Sequence, residues 1–258
     1  MRRAHLYIVC LFVFAVIVVP CRAFAFFGAE AGVGLWNQTP SGTLSYKPVT
    51  GTIGDVNLKD DMNLGSENQL FARVKVELPL ILPNVYFMAT PMSFKGTGRK
   101  NAQISFGGQT FDLTATIESK LKLDHYDLAL YYPVPLLKTA TLGKLNIEFG
   151  LNARQIAFEG TISGGGKTAS KTMTVYVPML YAGIQVRPIS LIGIEGEVRG
   201  ISYGSNSYLD YIARLKINPI PVLFVAGGYR AETVKLDIQD VKADIKFSGP
   251  FAEVGVSF

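Results

Sequence analysis

Gly249-Pro250-Phe251-Ala252-Glu253-Val254-Gly255-Val256-Ser257-Phe258 closes the sequence, and its reading decides the fold class. Ala252, Val254, Val256 and Phe258 fall on one face of an extended strand. Phe251, Glu253, Gly255 and Ser257 fall on the other. A polar-apolar alternation of period two, ending on an aromatic, is what a strand with one face in lipid shows.

The opposite terminus reads as an export signal. Arg2 and Arg3 precede an apolar run from Leu6 to Val19, and Ala23-Phe24-Ala25 is a small-x-small cleavage site. Residues 1–25 are therefore expected to leave, and 26–258 to form one domain. Cys21 suggests lipidation, but Pro20 stands where a lipidation site has a small residue. With the signal go Cys10, Cys21 and His5, so no thiol and one histidine, His125, remain. Arg2, Arg3 and Arg22 leave with no acid, so the formal charge drops from +5 to +2. That gives no basis for expecting a nucleic-acid partner. No later stretch is apolar for long enough to cross a membrane as a helix.

Between the termini the alternation returns repeatedly. It marks Phe27 to Asn37, Asn68 to Leu78, Val85 to Phe94, Lys120 to Tyr132 and Lys144 to Ile156. It resumes at Thr172 to Arg187, Leu191 to Ser202, Tyr208 to Asn218, Val222 to Val234 and Asp244 to Phe258. Ten segments is an even number, though a merged or split segment makes it eight or twelve. Pro91 inside the third predicts a bulge. Ile104 to Phe111 reads as a small hairpin turning at Gly107-Gly108, inside an excursion from Lys95 to Ser119. Leu121 and Leu123 share the face of His125, so the fourth segment is expected to run on beyond any membrane.

The connections fall into two alternating sets. One is short and always holds proline: Pro79 and Pro83, Pro133 and Pro135, Pro188, Pro219 and Pro221. The other is mostly longer, polar and Gly-rich: Gln38 to Glu67, Lys95 to Ser119 and Glu159 to Lys171, with a short loop around Gly204 to Ser207 and a polar one, Lys235 to Ala243. Short turns at one rim and long loops at the other are the asymmetry of an outer-membrane barrel.

Alternation does not by itself say which face is inside, and a soluble lipocalin-like barrel uses it in reverse. Aromatics at segment ends (Phe27, Tyr132, Tyr176, Tyr203, Tyr208, Tyr229, Phe258) favour apolar-out, as interfacial girdles. So does charge matching on the polar face. Arg73, Lys75, Arg154, Arg187, Arg199, Arg214, Lys216 and Arg230 meet Glu30, Glu77, Asp127, Glu148, Glu195, Glu197, Asp210 and Glu253. A lumen needs such matching because an unpaired buried charge is costly, whereas a wet surface does not. The expected architecture is all-β, a transmembrane up-and-down antiparallel barrel of about ten strands with a polar lumen network of these side chains and His125.

Candidate sites have plainer readings beside them. His125 and Asp127 sit two apart and face inward together, a pair that can activate water in a lipid- or peptide-hydrolysing enzyme. No serine stands two residues from His125 and no second histidine is left, so a satisfied lumen pair is preferred. Asp61 to Glu67 begins like a calcium loop, but its Gly comes early and Ala72 stands where a bidentate Glu is required; only a loosely held cation at Asp60, Asp61 and Glu67 remains. Gly164-Gly165-Gly166-Lys167-Thr168 is half of a phosphate loop and reads as a flexible loop. No catalytic residue, metal or cofactor is assigned.

The alternating ending resembles the C-terminal strand of outer-membrane barrels, where a terminal aromatic serves as the assembly signal; here that is Phe258 with Val256 and Val254. More widely, Asn57-Leu58-Lys59-Asp60-Asp61, Leu82-Pro83-Asn84-Val85, His125 to Tyr132, Pro178 to Ala182, Gly200-Ile201-Ser202-Tyr203, Gly228-Tyr229-Arg230 and Gly249 to Ala252 resemble a family of small Gram-negative outer-membrane barrels in the OmpA-like group. The resemblance implies the outer membrane as location, with its lipid and lipopolysaccharide as surroundings. It implies the barrel-assembly machinery and periplasmic chaperones as partners. It brings no substrate. A non-enzymatic envelope role follows: structural, adhesive, or a narrow porin-like passage.

Overall fold

The ten alternating segments become a cylinder. The computed structural model describes residues 28–46, 56–79, 81–98, 103–106, 109–112, 116–238 and 241–258. The expected signal peptide and Phe27 lie outside them. In chain order the strands are β1 (Gly28–Tyr46), β2 (Val56–Asn57), β3 (Glu67–Glu77), β4 (Asn84–Thr90), β5 (Ser93–Gly98), β6 (Gln103–Phe106), β7 (Gln109–Asp112) and β8 (Ile117–Pro133). After a short helix α1 (Leu137–Ala140) come β9 (Leu145–Gly164), β10 (Lys167–Ile189), β11 (Ile192–Tyr203), β12 (Asn206–Ile220), β13 (Leu223–Ile238) and β14 (Val241–Ser257). All pairings are antiparallel; β6 and β7 pair only with each other, the other strands form one sheet, and β14 returns to β1 from Glu30↔Ser257 to Tyr46↔Val241, closing it. Closure removes free edges where lipid has no hydrogen bonds to offer. No helix among the described residues is long and apolar enough to span a membrane.

β4 and β5 make one stave. Thr90 pairs with His125 and Ser93 with Lys122, so the register is the same on both sides of Pro91. The expected bulge is therefore a gap without an extra residue. Pro91 has no N–H to give, its carbonyl accepts from Gln38 Nε2 at 2.9 Å, and the Met92 N–H turns to Asp124 Oδ1 at 2.9 Å. Counted this way the barrel has ten staves. The real register shifts fall at the proline turns, between Val186 and Ile189 and between Ile217 and Ile220.

Much of the described part of the expected long loops is strand. β9 and β10 run to a two-residue turn at Gly165 and Gly166, both at positive φ, which is what a type I′ hairpin needs. The stretch read as a flexible loop is thus a tight turn. β11 and β12 turn at Gly204, and β13 pairs with β14 out to Ile238↔Val241. The apolar alternation fades in these stretches, but the backbone ladder continues. The excursion at Lys95 shrinks to 99–116, and the hairpin expected inside it is present as β6 and β7.

Side chains settle the faces in the lower half of the wall. Leu35, Leu70, Leu128, Leu151, Leu180 and Leu215 point out and are exposed. Arg73, Arg154, Arg199, Asp210 and Glu253 point in and are buried. Apolar-out is the polarity of a barrel in hydrocarbon, and a lipocalin-like interior is excluded.

In the upper half the polarity is ordinary. Phe94 and Phe247 stack across the interior with centroids 5.3 Å apart, among Trp36, Leu58, Leu64 and Met92. Lys120, Lys122, Asp124 and Glu159 form ion pairs on the outer face of β8 and β9, and Lys235 reaches Asp244 at 3.4 Å on β13 and β14.

Candidate functional site

The lumen is built by inward-facing residues two apart on neighbouring strands, the direct result of the strand period. At its base, Arg73 on β3 donates to Glu253 Oε1 at 2.6 Å and to Glu30 Oε1 at 2.5 Å. Lys216 on β12 bonds Glu30 and lies 3.7 Å from Glu195, above the ring of Phe224. Arg214 then bridges Glu195 at 2.9 Å and Glu197 at 2.8 Å. Beside them Lys75 bonds Glu148 at 3.0 Å inside a cage of Tyr86, Tyr131 and Tyr181 rings, 5.0 to 5.8 Å away. Tyr181 also donates to Glu148, and Tyr86 to Glu197, each at 3.0 Å.

The top layer is the tightest. Arg154 forks onto both oxygens of Asp127 at 2.8 and 2.9 Å and reaches Asp210 at 2.5 Å. Arg230 forks onto Asp210 at 3.0 and 2.9 Å and bonds Glu232 at 2.5 Å. Planar guanidinium against planar carboxylate gives strength and fixed geometry together. Trp36 covers Arg230 at 4.6 Å and donates its ring N–H to Gly249 O. Tyr208 covers Arg154 at 4.9 Å. Tyr208 therefore points inward and belongs to no girdle, because it shares the phase of Asp210 rather than that of Tyr211.

The sequence-derived network comes together with three changes. Glu77 shares the inward phase of Lys75 but lies at the lower rim, half exposed, where it pairs with Lys138 at 3.2 Å. Arg187 is exposed at the same rim, next to the shift at Pro188. Glu232 joins the lumen, and its signal was its place two residues after Arg230. Among the described residues the interior thus holds seven Lys or Arg against eight carboxylates, with His125 beside the eighth. The caging tyrosines were legible only by phase: Tyr131 follows Asp127 and Ala129, and Tyr181 follows Met179.

His125 and Asp127 do not bond to each other. His125 Nε2 lies 3.1 Å from Glu232 Oε1, and its Nδ1 is 3.1 Å from Leu123 O. Asp127 is held by Arg154 and by Asn152 Nδ2 at 2.7 Å. His125 is 1% exposed beneath the apolar cap. No cluster of three metal-ligating side chains occurs among the described residues. The loop residues that resemble a calcium site serve a turn: Asn57 Oδ1 accepts the Lys59 and Asp60 N–H groups, and Asp61 Oδ2 accepts the Asn57 N–H at 2.7 Å. The apolar trough among Ala182, Gly196, Ala213 and Tyr229 lies on the outer, lipid-facing wall.

No family model matches the sequence, and no curated protein is similar to it. Solved structures are similar in fold. The outer membrane protease OmpT from Escherichia coli aligns with a TM-score of 0.58 at 9% identity, over 90% of this chain and 97% of that one. Ail, the attachment invasion locus protein of Yersinia pestis, aligns at 0.39 and 12% identity over 90% and 99%, and Neisserial surface protein A at 0.31 and 12% over 91% and 98%. At these identities the likeness to OmpT shows the barrel fold alone, and the two lower scores add nothing to it.

Proposed function

We propose that this chain is an integral outer-membrane β-barrel of a Gram-negative bacterium, exported by residues 1–25 and inserted by the barrel-assembly machinery after escort by periplasmic chaperones. Phe258, Val256 and Val254 carry the assembly signal. The finer kinship, with the small OmpA-like barrels, belongs to the same proposal. Lipid and lipopolysaccharide surround the lower half, and the ordinary-polarity upper half stands outside the cell. The role is non-enzymatic: a closed pedestal carrying a rigid β head, structural or adhesive.

The observation that carries this is the filled interior. Ion pairs occupy the lower lumen from Glu30 to Glu232, and Trp36, Phe94 and Phe247 occupy the upper. A solute would have to displace buried arginine–carboxylate forks, each breakage costing about 3–5 kcal/mol. That speaks against the narrow-passage reading. It also speaks against hydrolysis at His125, whose two nitrogens are both engaged in the buried network.

The test combines two measurements on the full chain. Unboiled protein from the membrane fraction should run at an altered gel mobility that heating abolishes. In planar bilayers the same protein should give a flat trace. Stepwise conductance overturns the closed-pedestal reading, and a mobility indifferent to heating overturns the barrel's membrane setting. His125→Ala should leave the mobility shift in place, and any lipid or peptide turnover lost with that change revives the enzyme.

A further inference from the structure

Among the described residues the upper wall has two notches, of which one is sealed. Above Phe71, β3 and β5 do not pair. Residues 58–66 fold over that gap, with Leu58 and Leu64 buried in the mouth. The backbone carbonyls of Asp61, Met62 and Asn63 lie so close to Gly96 and Gly98 that any Cβ there would collide with them. The other gap is between β10 and β11. Their pairing begins at Leu180↔Gly200, while β11 stops at Tyr203 and turns into β12. Residues 167–179 of β10 therefore pair with β9 alone. Among the described residues no strand or loop satisfies their outer edge.

The floor of this open notch is apolar and partly wet. Met173 points inward yet is 44% exposed, and Val175 and Phe158 beside it are half-buried. On the far side of the gap Ile201 and its partner Tyr208 share the inward phase. At the top of the notch Lys167 and Lys171 share Met173's face, both exposed and both without an ion pair among the described residues. An unpaired strand edge is a template for another strand.

We infer that the upper half of β10 binds an extended peptide segment of another protein, which adds a strand in the place a longer β11 would occupy. Running as β11 does, antiparallel to β10, it climbs away from the membrane. Its alternate side chains then cover Met173 and Val175, and its C-terminal end meets Lys171 and Lys167, where acidic residues fit. A second copy of this chain does not fit. Two copies in one membrane share its normal, so their β10 edges run the same way and bring lysine to lysine. The inference rests on the proposal that the upper half stands outside the membrane.

The test uses the full barrel in liposomes and labelled octapeptides alternating Val and Thr, with two Glu at one end. The peptide with C-terminal Glu should bind at least tenfold tighter than its reversed sequence. Methylating one alternate set of peptide nitrogens should cost tenfold or more, and methylating the other set little. Lys167→Glu with Lys171→Glu should abolish the preference, and bound peptide should slow hydrogen exchange within 167–179. Binding indifferent to both N-methyl patterns means that anions merely gather at two lysines, and it overturns the inference. So does the absence of binding while the gel shift persists. Loss of the gel shift itself would instead point to failure of the membrane setting.

Discussion

On β8, Leu121 and Leu123 point inward while Lys120, Lys122 and Asp124 point outward. A few residues on, Asp127 points inward while Tyr126, Leu128 and Leu130 point outward. β14 repeats the inversion, with Lys246 out and Phe247 in above, and Val254 out and Glu253 in below. β8 and β14 and their side-chain parity run unbroken through the change. Only the solvent outside the wall differs. The upper half hides apolar groups from water, as a globular protein does. The lower half has no water to hide from, so its apolar groups face acyl chains and its polar groups find one another. The two halves are therefore held by different forces, and substitutions separate them.

The largest effect is expected in the lower half, at Asp210. Its carboxylate is fully buried and faces Arg154, Arg230 and, at 3.6 Å, Arg199. Asp210→Ala leaves three guanidiniums without their common anion. The expected loss is about 5 kcal/mol, at the upper end for one broken buried pair because three cations share the anion. The midpoint of urea unfolding in detergent measures it. A loss under about 1 kcal/mol would mean that water replaces the carboxylate and that the lower half is not dry.

Phe94→Ala strikes the upper half. It removes a fully buried ring stacked on Phe247, at an expected cost of about 3–4 kcal/mol. The readout should be regional. External protease should cut the head, while the heat-sensitive gel mobility of the membrane half stays. Loss of both together would show that the halves fold as one unit and that the boundary is only one of polarity.

A third pair of changes tests the boundary on one face of one strand. Leu128→Arg places a cation in hydrocarbon and should cost about 2–4 kcal/mol. Lys122→Leu, six residues away on the same outward face, should stay within about 0.5 kcal/mol. Equal costs would erase the boundary drawn at Tyr126.

Much of this was legible in the sequence because the strand period survives the change of solvent. Leu121 and Leu123 sharing a face with His125 already signalled a strand leaving the membrane. Strand extent was not legible. From Glu159 to Lys171 and from Lys235 to Ala243 neither face is apolar throughout, and composition cannot distinguish a polar ladder from a polar loop. Glu77 and Arg187 show a second limit: parity gives the face but not the height, and a charge at the rim needs no lumen partner. The open edge of β10 was illegible for a third reason, since it depends on how far β11 climbs rather than on any residue of β10.

The smallest effect is expected at Glu159. Its oxygens lie 3.5 Å from Lys120 and 3.9 Å from Lys122, and all three side chains remain substantially exposed. The same formal pairing that is worth several kcal/mol around Asp210 is worth little here, because water solvates each partner and mobile ions screen the rest. Glu159→Gln should cost no more than about 0.5 kcal/mol at low salt, and nothing measurable in 1 M salt, where the screening length falls to about 3 Å. Asp210→Ala should be nearly blind to the same salt, since ions do not enter a packed lumen. A salt-insensitive loss of several kcal/mol at Glu159 would place the outer face of β8 and β9 away from water, and the polarity boundary would have to move above Lys120.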